Sequence, residues 1–138
     1  MTEIFRRPEV LDHWFVCFSK DTVSPIWKRV CPGTYKHVSI MRYSAPADTW
    51  IYIDLNFAGV DVLVGPGDTE VIEIISKTMG EVDVLKFPIK RPSPVIIRPL
   101  FNCVAFVKHV LGVKAPFVLT PDQLFHYLLS RDAELFTP

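Results

Sequence analysis

The run from Phe101 to Gly112 carries the pattern that most constrains the fold. Apolar side chains recur in it at helical spacing, a good N-cap residue precedes them, and a glycine follows where a helix would end in the left-handed conformation. The apolar positions are Cys103, Val107, Val110 and Leu111, with Asn102 as the N-cap and Gly112 as the stop. The segment therefore predicts a buried helix that begins at Cys103.

Cys103 opens this predicted helix, and a thiol at that position has two interpretations. A helix N-terminus carries roughly half a positive charge and unpaired N–H groups, which favour a thiolate over a thiol. A nearby imidazolium would favour the thiolate further. Alternatively, Cys103 is a small apolar residue packed where the helix meets a sheet, because free cysteine is among the most buried residue types. The segment alone supports both interpretations equally.

Composition narrows the class of protein. The chain has 138 residues, about the size of one domain, so we expect a single domain over residues 1–138. Its formal net charge is zero, and we therefore expect no nucleic-acid partner. Three cysteines, an odd number, fit a reducing compartment better than a disulfide framework. Because no run has signal-peptide character or the roughly 20 apolar residues of a membrane span, we expect a soluble, cytoplasmic protein.

Short runs of aromatic and β-branched residues predict the strands of a sheet. These runs are His13–Phe18, His37–Tyr43, Trp50–Phe57, Gly59–Val64 and Val82–Phe87. Residues 68–80 favour a helix, although Val71–Ile75 could also form a strand. Thr120 followed by Pro121 is a strong helix start. We predict an α+β domain in which the Cys103 helix packs on an antiparallel sheet of four to six strands. The tail from Arg131 to Pro138 is expected to fray.

The second and third predicted strands are joined by a six-residue, proline-containing loop, residues 44–49, which predicts an antiparallel hairpin. If the hairpin centres on the second and third residues of this loop, His37 lies opposite Asp54, and directly opposed side chains are roughly 5 Å apart. A shift of two residues would place Asn56 or Tyr52 opposite His37 instead. The hairpin thus offers a histidine with a polar neighbour.

Three of these residues fit the requirements of thiol catalysis, which are a nucleophile, a histidine within hydrogen-bond reach and a polar group that holds the ring. Cys103 lies at a helix start, His37 at a strand start and Asp54 across the hairpin. Asp54 interrupts an apolar strand, where an ionised carboxylate needs a partner. Alternatively, His37 is a hydrogen-bonded residue at a sheet edge, and Asp54 faces solvent.

Two motifs resemble a known superfamily. The segment His37-Val38-Ser39-Ile40-Met41 resembles the His-Val-Gly-Ile-Tyr pattern at a strand start in NlpC-type papain-like cysteine peptidases. The helix from Cys103 to Gly112 resembles the nucleophile helix of that superfamily. Here the histidine precedes the cysteine, and this order is similar to that of the circularly permuted branch. That branch includes lecithin:retinol acyltransferase-like enzymes, whose nucleophile follows an asparagine as Cys103 follows Asn102.

The resemblance implies a permuted papain-like fold with Cys103 as nucleophile, His37 as base and Asp54, or Asn56 in its place, as the orienting group. It implies a cysteine-dependent peptidase, amidase or acyltransferase that forms a thioester with a peptide, amide or acyl substrate and needs no cofactor or metal. Residues 60–94 have no counterpart in the resemblance. The oligomeric state is left open.

Two other interpretations compete with this one. A non-enzymatic interaction module on the same fold, of viral or mobile-element origin given the small size of the chain, predicts an ordinary thiol at Cys103. A structural zinc site built from His13, Cys17, Cys31 and His37 is disfavoured by spacing. Because His13 and Cys17 are four residues apart on a strand, they lie roughly 13 Å apart, too far to bind one ion.

Overall fold

A computed structural model describes residues 12–20, 29, 33–56, 59–66, 82–90 and 103–136 of the chain. These residues form one antiparallel sheet, with strand order β4-β3-β2-β1-β5-β6, and two helices. The elements are β1 (His13–Ser19), β2 (His37–Ser44), β3 (Thr49–Asn56), β4 (Gly59–Pro66), β5 (Val82–Pro88), α1 (Cys103–Leu111), α2 (Pro121–Leu129) and β6 (Glu134–Phe136). The predicted α+β class and antiparallel sheet are confirmed. The helix expected within residues 68–80 and the N-cap expected at Asn102 lie outside the described residues.

The sheet buries apolar side chains on both faces, because successive strand residues point to opposite sides. Both helices contribute to the core on one face, which includes Val16, Phe18, Val38, Ile40, Leu85, Val104, Val107, Leu111, Leu124 and Leu128. The other face carries a second cluster, formed by Phe15, Cys17, Met41, Tyr43, Trp50, Tyr52 and Val84. Burial on both sides explains why β1 and β2 are nearly continuous apolar runs rather than alternating ones.

Both helices begin or end where the sequence predicts. Gly112 ends α1 with a φ of 73°, and the Val113 N–H donates to the Lys108 carbonyl at 2.9 Å, as in a Schellman motif. Thr120 caps α2, and its hydroxyl accepts a hydrogen bond from the Gln123 N–H at 3.3 Å. These two caps fix the helix ends that the connecting loop joins.

Residues of the C-terminal tail form a strand where fraying was expected. Glu134–Phe136 forms β6, which pairs with β5 and extends the sheet. Two ion pairs flank the contact, Lys86 with Glu134 at 3.4 Å and Lys90 with Asp132 at 3.0 Å. The expectation of a frayed tail is therefore wrong for residues 131–136.

The β2–β3 hairpin closes at the pair Ser44 and Thr49, so its loop centres between Pro46 and Ala47. Asp48 adopts a left-handed conformation with φ of 47°, and the Tyr43 hydroxyl donates a hydrogen bond to its carboxylate. These interactions place the centre of the loop one residue later than the centre that would put His37 directly opposite Asp54.

This register pairs Ile40 with Ile53. Its continuation puts Ser39 opposite Asp54 and Asn56 opposite His37, so the direct opposition of His37 and Asp54 is wrong by two residues. The alternative register that brings Asn56 opposite His37 is the one observed.

Candidate active site

His37 is the first residue of β2, and its side chain is buried, with 6% of the residue exposed. Its Nε2 atom makes a hydrogen bond with Oδ1 of Asp54 across the hairpin. The two residues are diagonal neighbours in the ladder and lie on the same face, where long side chains can still meet. Asp54 is itself only 13% exposed, so water screens the pair weakly.

Cys103 is the first residue of α1, and 7% of it is exposed. Its side chain is a hydrogen-bonding neighbour of the His37 ring. The structure therefore brings together all three predicted residues around one imidazole, with Asp54 at Nε2 and the thiol as the second neighbour. Of the two candidates for the orienting group, Asp54 is the one that bonds to the ring at Nε2.

The surroundings of His37 favour its protonated form. Burial acts to lower the pKa of the ring, but the hydrogen bonds to Asp54 and Cys103 and the negative charges on those groups outweigh it. Together they raise the pKa of His37 to about 10. These contacts favour the imidazolium, which is the charge that stabilises a neighbouring thiolate.

Cys17, a second buried cysteine, provides an internal contrast. It is 3% exposed, close to the value for Cys103, and lies on β1 on the face that carries Asp54. Burial raises the pKa of the Cys17 thiol to about 12, with a smaller contribution from the negative charge of Asp54, against a lowering by its hydrogen bond with Ser39. The two cysteines are thus similarly buried, but Cys103 adjoins a cation and Cys17 lies near an anion.

Asp61 is a neighbour of the site that sequence reasoning missed. It lies directly opposite Asp54 in the β3–β4 ladder. Like charges directly opposite one another are unfavourable, and a protonated His37 beside Asp54 offsets this repulsion. The signal was present in the sequence, because a hairpin between Trp50–Phe57 and Gly59–Val64 pairs these two aspartates.

Lys108 is a second residue that sequence reasoning did not single out. Only 4% of it is exposed, and its ammonium group donates hydrogen bonds to the carbonyl oxygens of Ala115 at 2.9 Å and Val118 at 2.7 Å. It thereby ties the last turn of α1 to the loop that leads to α2. The sequence signal for its burial is its position between Val107 and Val110, on the buried side of the helix.

An open groove of about 480 Å³ lies near the hairpin loop, at the opposite end of β2 from His37. The Arg42 guanidinium lies over the Trp14 ring at its edge, 5.4 Å from the ring centroid. The lining residues are Trp14, Arg42, Tyr43, Ser44, Ala45, Pro46, Ile51 and Ile53. Cys103, His37 and Asp54 do not line it, so this groove is separate from the candidate site.

Comparison with known proteins gives no assignment for this site. No known protein-family model, curated protein or solved structure matches the chain. Within the described ranges, no three His, Cys, Asp or Glu side chains are grouped as ligands for a metal ion, and Cys31 lies outside those ranges. Neither α1 nor α2, the two described helices, is long and apolar enough to cross a membrane.

Proposed function

We propose that Cys103, His37 and Asp54 form the catalytic group of a cysteine-dependent peptidase, amidase or acyltransferase with a permuted papain-like arrangement. The observation that carries the proposal is the His37 ring, which contacts a carboxylate at Nε2 and a thiol at the start of a helix. A nucleophile, a base beside it and a group that orients the base are the components that thiol catalysis requires.

In this mechanism His37 holds the proton of Cys103. Because Asp54 occupies Nε2, Nδ1 is the ring nitrogen left for proton exchange with the sulfur. The Cys103 thiolate attacks the carbonyl carbon of the substrate, a C–S bond forms, and the carbonyl electrons move to oxygen. Collapse of this intermediate expels the leaving group, which takes the proton from His37, and a thioester remains on the sulfur.

The second half of the reaction regenerates the site. Water or another acceptor gives a proton to the now neutral His37 and attacks the thioester carbon. The thiolate then leaves, and the imidazolium beside it restores the resting ion pair. Hydrolysis and acyl transfer differ only in this acceptor, so both belong to the proposal.

Because Cys103 is the first residue of α1, its backbone lies at a helix N-terminus that can stabilise negative charge on the substrate. The first N–H groups of a helix have no acceptor within the helix, and they stabilise negative charge. The backbone N–H of Cys103 is the natural donor to the oxyanion that develops on the substrate carbonyl.

Acyl trapping tests this function. The protein is incubated with 4-nitrophenyl acetate, and its intact mass and released nitrophenol are followed over many turnovers. We expect an acetyl thioester on Cys103 that hydroxylamine removes, with turnover lost in Cys103→Ala and retained in Cys17→Ala. Turnover that is the same in Cys103→Ala as in wild type would overturn the proposal.

A second candidate is a non-enzymatic interaction module on the same fold. It is favoured by the burial of Cys103, which is 7% exposed and belongs to the apolar cluster beneath α1. On this interpretation the thiol is a packing residue, and its reactivity does not depend on His37. Comparing the alkylation rate of Cys103 in the wild-type protein and in His37→Gln separates the two candidates without knowledge of a substrate.

A further inference from the structure

The open groove near the hairpin loop combines an apolar floor with one cationic side chain. Two of its lining residues, Arg42 and Ile51, are paired across β2 and β3. Trp14 lies opposite Arg42 when the β1–β2 register is continued by one residue. The three side chains therefore lie in one row on the same face of the sheet, with Ile53 two residues further along β3. Both isoleucines are half-buried, so a ligand in the groove would contact apolar surface beside a cation.

Arg42 is exposed, and none of the described carboxylates neutralises its charge. The ion pairs among the described residues involve His37, Lys86 and Lys90, whereas the Arg42 guanidinium lies over the Trp14 ring. A guanidinium that stacks on an aromatic ring still presents its N–H groups at its edge, in a fork that matches a carboxylate. The stack also holds the long side chain in place, which reduces the entropy lost when an anion binds.

Ser44 supplies a second donor beside Arg42. It follows Arg42 by two residues on β2, so the two side chains point to the same side of the sheet, and their Cα atoms are roughly 7 Å apart. Both residues line the groove. A serine hydroxyl can donate a hydrogen bond, so the pair can bond to the two oxygens of one carboxylate.

We propose that the groove binds a small, free monocarboxylate whose other end is an apolar ring or chain. The carboxylate bonds to Arg42 and Ser44, and the apolar part packs on Ile51, Ile53 and the loop residue Pro46. The volume of about 480 Å³ is typical of small-molecule sites, which are mostly apolar with a few polar groups that fix the orientation of the ligand. The unpaired charge of the guanidinium selects an anion over a neutral apolar molecule.

This binding site is independent of the proposed catalytic group. Arg42 is five residues from His37 along β2, a distance of roughly 17 Å. Binding at Arg42 can therefore be measured without any assay of activity. Its failure would leave the catalytic proposal untouched, and loss of the catalytic proposal would leave this site untouched.

Two ligands of the same shape test the selection for charge. Phenylpropanoate and its neutral amide, phenylpropanamide, are titrated into the full chain at neutral pH, and the backbone amide shifts are followed by nitrogen–proton NMR correlation spectra. We expect phenylpropanoate to shift the amides of Ser44 and Ala45 with a Kd in the millimolar range, as its small size implies. Phenylpropanamide should bind roughly fivefold more weakly or less tightly still, because it lacks the charge.

Substitution identifies the cation that makes this selection. Arg42→Gln should weaken the binding of phenylpropanoate by roughly fivefold or more and leave the two ligands with equal affinity. Arg131→Gln is the matched control, because Arg131 is also exposed and lies over an aromatic ring, 5.2 Å from the Tyr127 centroid, outside the groove lining. It should bind both ligands as wild type does. Equal affinities in the wild-type protein, or a preference for the carboxylate that survives in Arg42→Gln, would overturn the proposal.

Discussion

His37 and Asp54 are hydrogen-bonded across the β2–β3 hairpin, although the register continued from the pair Ile40 and Ile53 brings Ser39, not His37, opposite Asp54. The contact is diagonal, so it depends on the direction of both side chains as well as on the register. One carboxylate thereby fixes the ring orientation and supplies part of the negative charge that keeps the ring protonated. Substitutions at His37 and Asp54 separate these two effects.

We expect iodoacetamide to alkylate Cys103 at pH 7 much faster than Cys17. The two cysteines are similarly buried, but Cys103 adjoins the His37 imidazolium and Cys17 has a pKa raised to about 12. His37→Gln should slow the reaction of Cys103 by about tenfold or more, because about 1.4 kcal/mol of thiolate stabilisation corresponds to a factor of ten. Peptide mapping by mass spectrometry assigns the label. Equal rates at Cys103 in the two proteins would argue for a packing role.

The free energy of unfolding should fall as pH rises from about 8.5 to 10. His37 has a folded-state pKa of about 10, above its unfolded value of about 6.5. In the proposed ion pair this proton comes from the Cys103 thiol, so the folded protein binds one more proton than the unfolded chain only above about pH 8.5, where a free thiol ionises. The stabilisation lost through pH 10 is on the order of 2 kcal/mol. Urea titrations at each pH measure it. His37→Gln should show a shallower decline, and the same slope in both proteins would contradict the assignment.

Asp54→Asn should lower the pKa of His37 towards its ordinary value. The substitution keeps the shape of the side chain and removes a negative charge at Nε2, so burial of the ring is less fully opposed. The NMR shift of the imidazole Cε1 proton, followed against pH, gives the value directly. Asp61→Asn is the matched control, because it removes the same charge from the residue opposite Asp54 and should have the smaller effect. A larger effect of Asp61→Asn would contradict the role given to Asp54.

Lys108→Met should destabilise the fold by roughly 2–4 kcal/mol, because it leaves two carbonyl groups without their charged donor. The methionine keeps much of the apolar stem, so the loss reports mainly on the hydrogen bonds to Ala115 and Val118. Lys114→Met, on the exposed part of the same loop, should change stability by about 0.5 kcal/mol or less. Chemical denaturation measures both variants. Similar losses in the two would show that the buried ammonium is dispensable.

Local signals were sufficient for most of the fold. The β-branched runs, the left-handed Gly112 and the Thr120 cap each act within a few residues, so the sequence predicts the elements they form. Strand β6 was missed because it has only three residues and is held by pairing with β5. A segment that short has no periodicity of its own to detect.

The three side chains of the candidate site could be named from the sequence, but their geometry could not. The hairpin register depends on the left-handed Asp48 and its bond from Tyr43, and neither is implied by the strand pattern. The approach of Cys103 to His37 depends on how α1 packs on the sheet, which is set by many apolar contacts far apart in sequence. Residue types could nominate the three side chains, but only the tertiary packing could bring them together.

The hairpin that holds His37 and Asp54 also implies an order of assembly. These two residues are 17 positions apart and lie on adjacent strands, and hairpins form within about 1–10 μs. Cys103 follows much later in the chain, and synthesis releases the N-terminal part first. A partly made or partly folded chain would therefore hold His37 and Asp54 together without Cys103 beside them. Reactivity of the thiol would report that folding is complete.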